Sequence, residues 1–233
     1  MERNMLKKNC FILFSNMKGG TGKTTLCELF ATYAVEKGLP IIVFDADVQL
    51  SLFQDRRDDL VRYPDAKTLW DVQPLVVDDS IADKIKVLKA VPGIVLIDCP
   101  GNIDNANLQP LFQAADIIVV PYRYDRKNVR ETKTFLDMLL KIGVSARMLL
   151  IPNMVKYIEF LRVDFHEQQM SLKAFCDGTN STKHLLYEIW DRTELRAANT
   201  IALNSKQRCE VRDSFDQIIS EINAKQKSDY GKE

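Results

Sequence analysis

Five short runs of uninterrupted apolar residues set the frame for this chain: Phe11–Phe14, Ile41–Phe44, Ile94–Ile97, Ile117–Val120 and Met148–Ile151. A strand with one wet face alternates apolar and polar residues, whereas a continuous run of about four suits a strand buried on both faces. Between the runs lie amphipathic stretches. Leu26, Leu29, Phe30 and Tyr33 recur at helical spacing until Gly38 and Pro40, and Phe135, Leu136, Leu139 and Leu140 do so until Gly143. Glycine just past the last periodic residue is a helix-stop signal. Alternating strands and helices predict an α/β fold, a mostly parallel twisted sheet with helices on both faces. After residue 155 the pattern is mainly helical, and a final stripe carries Val211, Phe215, Ile218, Ile219 and Ile222. No repeat or Gly/Ser linker divides the chain. The expectation is one domain over 1–233, with a core at 10–155, a helical part at 156–224 and a polar, frayed tail at 225–233.

Hydrophobic residues at 46% and charged residues at 27% exclude a disordered chain, a collagen-like chain and a coiled-coil rod. The 32 basic residues balance the 32 acidic ones, which excludes a polycation. Residues 1–116 nevertheless hold 13 basic against 16 acidic residues, and residues 117–233 hold 19 against 16. Any nucleic-acid contact must therefore come from a patch. Five scattered cysteines without a C-x-x-C, and only two histidines, argue against a disulfide framework or zinc site and fit a reducing cytosol. No apolar window reaches membrane-spanning length, and Phe11–Phe14 is too short for the apolar region of a signal peptide.

The most informative stretch is Lys18-Gly19-Gly20-Thr21-Gly22-Lys23-Thr24-Thr25, which follows the first apolar run and opens the first helix. Glycines let the backbone turn tightly and aim several N–H groups at one anion, and the helix N-terminus adds partial positive charge. Lys23 can reach β- and γ-phosphates, the Thr24 hydroxyl can ligate Mg²⁺, and Thr25 can touch the α-phosphate. Met17 takes the first glycine position of the strict G-x-x-x-x-G-K-[ST] pattern, while the variant K-G-G-x-G-K-[ST] fits fully.

With its extra lysine, Lys18, the loop resembles that of the ParA/MinD group of deviant Walker-A P-loop ATPases. The resemblance covers roughly residues 10–155. It implies a phosphate cradle of Gly19, Gly20, Thr21, Gly22, Lys23, Thr24 and Thr25, with ATP and Mg²⁺ as cofactors. Lys18 would reach across a homodimer to phosphates on the other subunit. Asp45-Ala46-Asp47-Val48-Gln49 is similar to the family's D-x-D-P-Q segment, with Val48 in place of proline. By that likeness Asp47 orients the attacking water and Asp45 supports the metal or its waters. Asp98, ending an apolar run before Cys99-Pro100-Gly101, matches a Walker-B aspartate that holds a Mg²⁺-bound water. Cys99 replaces a common threonine and reads as a buried, inert thiol. Asn153 matches an asparagine that meets the adenine edge, and Pro121 shapes a loop.

What the resemblance implies about partners divides three ways. A ParA-like partition ATPase would bind DNA nonspecifically as an ATP dimer, in the cytoplasm on the nucleoid, with a ParB-like or other centromere-binding partner. Arg126, Lys127 and Arg130 (with Arg123 and Lys133 nearby), or Lys206, Arg208 and Arg212, are the candidate contacts. With nine residues before Cys10, no N-terminal helix-turn-helix domain is expected. A MinD-like membrane switch would want an exposed apolar and basic C-terminal helix, and the Phe215–Ile222 stripe instead suggests core docking. Conjugative or cargo-positioning roles, and a metabolic ATP-dependent ligase on the same fold, are the remaining alternatives.

Overall fold

The computed structural model describes residues 9–101, 105–161, 163–179 and 183–230. In chain order the elements are β1 (Asn9–Phe14), α1 (Lys23–Glu36), β2 (Ile41–Asp45), α2 (Ser51–Arg62), β3 (Val72–Pro74), α3 (Ile81–Lys89), β4 (Gly93–Asp98), α4 (Leu108–Ala114), β5 (Ile117–Tyr122), α5 (Arg126–Lys141) and β6 (Arg147–Pro152). There follow α6 (Tyr157–Phe160), α7 (Val163–Asp177), β7 (Lys183–Leu185), α8 (Thr193–Arg196) and α9 (Ser205–Tyr230). The strands form one parallel sheet in the order β3-β2-β4-β1-β5-β6-β7.

The period of two along β1 explains why its apolar run is unbroken. Phe11 and Leu13 enter one layer with Val95, Ile97, Ile118, Val120 and Phe135. Cys10, Ile12 and Phe14 enter the other with Leu29, Phe30, Leu96, Val119 and Phe215. Helices α3, α4, α5 and α7 cover the first face, and α1, α2, α8 and α9 cover the second. All five expected strands are present, each extended by one or two residues. Two strands escaped the sequence reading: β3 and β7, three residues each at the sheet edges.

The expected helix stops hold. Gly38 has φ 84° and Leu39 N donates to Ala34 O at 3.0 Å; Gly143 has φ 77° and Val144 N donates to Leu139 O at 3.0 Å. The α9 stripe is core: Val211, Phe215, Ile218 and Ile222 are fully buried, and the Phe215 ring meets those of Phe30 and Tyr33 at 5.3 and 5.6 Å. Full burial of each such side chain contributes about 1.5–3 kcal/mol. The tail differs from expectation. α9 runs unbroken through Lys225, which pairs with Asp116 at 3.0 Å, and through buried Gln226 to Tyr230. Residues 231–233 lie outside the described part. Among the described residues no helix is long and apolar enough to cross a membrane.

Candidate phosphate-binding site

β1 lies centrally, with β4 on one side and β5 on the other. Ligands in open α/β sheets bind beyond the carboxyl ends of such strands, and there the chain turns from β1 into α1. Asn16, fully buried, anchors the start of this loop. Its Nδ2 donates to Pro121 O at 2.9 Å and to Thr132 Oγ1 at 3.0 Å, and its Oδ1 accepts from Lys18 N at 3.2 Å. Gly20 and Gly22 take φ of 72° and 87°. Gly22 caps α1 with no side chain, and the first turn carries no acidic residue, so the positive helix end faces the loop uncompensated.

Asn153 closes the loop from the other side, its Nδ2 donating to Thr21 O at 2.8 Å. A Cβ added at Gly22 would lie 2.3 Å from that same Nδ2. Gly22→Ala should therefore disturb the cradle twice, by left-handed strain of about 1–2 kcal/mol and by displacing the Asn153 amide from Thr21 O. The expected result is a lower melting temperature and no stabilisation by ATP in a thermal melt. Gly143→Ala, where φ is also positive but nothing lies within 4 Å of the added Cβ, should lose stability and keep the ATP response.

Lys23 is buried, with Nζ 3.4 Å from Lys18 O. Burial pulls it below the usual lysine range, and Asp98 is the main opposing influence. Asp98 is fully buried at the end of β4, and neither of its carboxylate oxygens completes a hydrogen bond. Burial pushes its pKa up to about 7, against the pull of the Thr24 hydroxyl and with further repulsion from Asp45. An orphaned buried carboxylate beside a threonine hydroxyl fits Mg²⁺, which keeps most of its waters and takes few protein ligands. Among the described residues no group of three or more His, Cys, Asp and Glu could hold a metal ion.

Asp45 and Asp98 sit opposite each other across the β2–β4 ladder. Asp45 spends its carboxylate on backbone: Oδ1 accepts from Asp47 N at 3.0 Å and Oδ2 from Phe53 N at 3.1 Å. It thereby pins the first turn of α2 and the turn containing Leu50, a non-glycine at φ 50°. Burial raises its pKa and those two amides oppose the rise. Asp47, half-buried, accepts from Gln49 N at 3.0 Å. It lines a cleft of about 1130 Å³ together with Gly19, Gly20, Lys23, Thr24 and Gly101. Cys99 is buried, and burial holds its thiol well above the ordinary value.

Beyond Asn153 lies a small cavity of about 50 Å³ between Thr25, Leu29, Trp190 and Leu195. It is too small for a purine base as it stands. Lys18 behaves differently from Lys23. It does not line the cleft, and its Nζ pairs with Glu131 Oε2 of α5 at 3.3 Å. Asn16 and Glu131 were both missed in the sequence. Asn16 could have been suspected, since an amide between a buried strand and a glycine loop has backbone groups within reach.

The two basic clusters diverge. Arg126, Lys127 and Arg130 are exposed on the first turns of α5 and pair with no acidic group among the described residues. Lys206 pairs with Glu194 at 2.8 Å, Arg208 with Glu36 at 2.7 Å and Arg212 with Asp213 at 3.0 Å.

A glycine loop seated between a central parallel strand and its helix, with one lysine folded inside, defines a P-loop nucleotide-binding domain. The profile described as "CobQ/CobB/MinD/ParA nucleotide binding domain" matches residues 12–199, and the chain belongs to that family. No curated protein sequence matches it. Among solved structures it is similar to a McdA–ATP complex from Cyanothece, with TM-score 0.71 at 17% identity over 93% of this chain and 97% of that one. It is also similar to a plasmid partition protein from Borrelia burgdorferi B31 bound to AMPPNP, with TM-score 0.68 at 15% identity over 94% and 100%. A third is pNOB8 ParA bound to nonspecific DNA, with TM-score 0.64 at 16% identity over 95% and 99%. At these identities the likeness is one of fold.

Proposed function

We propose that this chain is an ATP-driven partition or positioning switch: it binds and slowly hydrolyses ATP, dimerises on ATP and holds DNA nonspecifically until a partner protein stimulates turnover. The observation that carries this reading is the division of labour between two lysines of one loop. Lys23 lies inside its own cleft, while Lys18 stands outside it on Glu131. A lysine placed there is free to serve a second subunit's phosphates once it leaves Glu131.

In this reading the loop amides, the α1 N-terminus and Lys23 hold the β- and γ-phosphates, and Asn153 meets the base after leaving Thr21. Thr24 would hold Mg²⁺ directly, and Asp98 and Asp45 would hold it through its waters; when bound, the ion would supply charge neutralisation on the phosphate oxygens. Asp47, at the cleft wall, orients the attacking water. Phosphoryl transfer needs positioning and charge neutralisation more than covalent help from the protein. Release of the γ-phosphate removes what holds the dimer together.

For DNA, the open cluster on α5 is favoured over the ion-paired one on α9. Three charges per protomer give about six phosphate contacts per dimer and a log–log salt slope of about −5. The test is an electrophoretic shift of plasmid DNA with ATP across a salt series. The triple variant Arg126→Glu, Lys127→Glu, Arg130→Glu should lose the shift, and Arg208→Glu should keep most of it. No shift by the wild type at low salt, with sedimentation on liposomes instead, would overturn the DNA reading.

A further inference from the structure

A second cavity, of about 760 Å³, opens between α1, α2 and the chain around α8, with Thr25 in its wall. Four carboxylates line it: Glu28 from α1, and Asp55, Asp58 and Asp59 from α2. Glu28 forms the buried floor, only 6% exposed, and its Oε1 has no hydrogen-bond partner. Buried polar groups are satisfied in the great majority of cases, so an unpartnered carboxylate in a cavity floor marks a missing ligand group.

The cations nearby do not supply it: Arg62, from the last turn of α2, lines the same cavity but makes no ion pair among the described residues. Arg56, the other buried charge of the region, sits over the Trp70 ring with Cζ 4.0 Å from its centroid and does not line the cavity, and its nitrogens have no hydrogen-bond partner. Arg196, on the opposite wall, is held by Asp191, with Nε at 3.0 Å. Asp59 is partly committed, accepting from Thr200 N at 2.7 Å and Thr200 Oγ1 at 2.9 Å. Asp55 and Asp58 remain exposed and unpaired with any cation among the described residues.

The spacing says what kind of cation fits. Among the described residues no three such groups converge tightly enough to hold a metal ion. Residues three and four apart on a helix stand roughly 5–6 Å from each other at Cβ, which matches ammonium groups separated by three or four methylenes. Val61, Leu195 and Ala198 line the same cavity and offer apolar surface to such methylenes. We propose that this cavity is a binding site for an aliphatic polyamine, with one ammonium on Glu28 at the floor and the others on Asp55 and Asp58 at the rim. Its wall shares Thr25, Leu195 and Arg196 with the small cavity beside Asn153, so occupancy is felt next to the nucleotide site.

The protonation state of Glu28 provides a signature. Its pKa is raised to about 8, by burial first and by Asp55 and Asp59 next, with Arg56 opposing and Asp98 adding a smaller push. Near neutral pH it is largely a neutral acid, and a bound ammonium converts it to carboxylate with release of a proton. The test is calorimetric titration of spermidine into the nucleotide-free full chain at low salt, in two buffers of different ionisation enthalpy, which keeps it independent of the ATPase reading. Saturable binding near one per chain, with buffer-dependent heat, is expected. Glu28→Gln should weaken it about tenfold and remove the buffer dependence, and the exposed-rim variant Asp58→Asn should weaken it less. Unchanged binding in Glu28→Gln, equal competition by Mg²⁺, or binding of a lysine-rich peptide but not spermidine would each overturn the proposal.

Discussion

Lys18→Ala should bind ATP as a monomer and fail to dimerise. In the structure the Lys18 side chain pairs with Glu131 and does not line its own cleft, and the Lys18 carbonyl that meets Lys23 survives the substitution, so Lys23, the loop amides and Thr24 stay in place. What disappears, in the proposed switch, is one charge-assisted contact per subunit to the partner's phosphates. Truncating one member of a desolvated charge pair at an interface costs about 2–5 kcal/mol, and a symmetric dimer loses two. Light scattering with ATP should show dimer for the wild type and monomer for the variant at the same concentration. Glu131→Gln should move the other way, because the 3.3 Å pair that keeps Lys18 on its own subunit is gone. A Lys18→Ala protein that still dimerises on ATP would remove the trans role.

Asp98→Asn should be the more stable protein without nucleotide and the inactive one with it. The folded chain holds a proton on Asp98 up to about pH 7, whereas the unfolded carboxyl loses it near 3.8. The folded state therefore binds the extra proton between those values, and stability from this group is complete below about pH 4 and lost as pH rises through 7. The full swing is on the order of 4 kcal/mol, reduced by whatever Lys23 and Thr24 recover through contact with the carboxylate. Thermal melts of nucleotide-free protein should show Asp98→Asn several degrees above wild type at pH 8 and equal to it at pH 4. Lys23, deprived of its main stabilising neighbour, offsets part of the gain. ATP turnover should fall by at least about a hundredfold, the scale of losing one organising charge in an active site. A variant that melts lower at pH 8 would show that burial does not dominate at Asp98.

The five central strands were legible because burial on both faces leaves no room for polar residues, so the pattern needs no partner to be read. β3 and β7 were not, because a three-residue edge strand such as Val72–Pro74 has one buried side chain and takes its pairing from β2. The phosphate loop was legible as a local object: its glycines, Lys23 and Thr24 act within eight residues. Asn16, Glu131 and the backbone duty of Asp45 were hidden because each depends on what the fold brings alongside. The α9 tail was misjudged for the same reason. A polar stretch looked free to fray, yet Gln226 packs inward and Lys225 finds Asp116, more than a hundred residues away in sequence.

The hydrogen bond from Asn153 to Thr21 O gives the nucleotide site a threshold. In the proposed reading, where Asn153 meets the base, the amide clasped to the loop with only about 50 Å³ behind it would let the phosphates dock before the base has a seat. Capture would then proceed from the triphosphate end. The tempo of full engagement would follow the clasp's release, and compounds that carry a base without a phosphate chain would bind poorly.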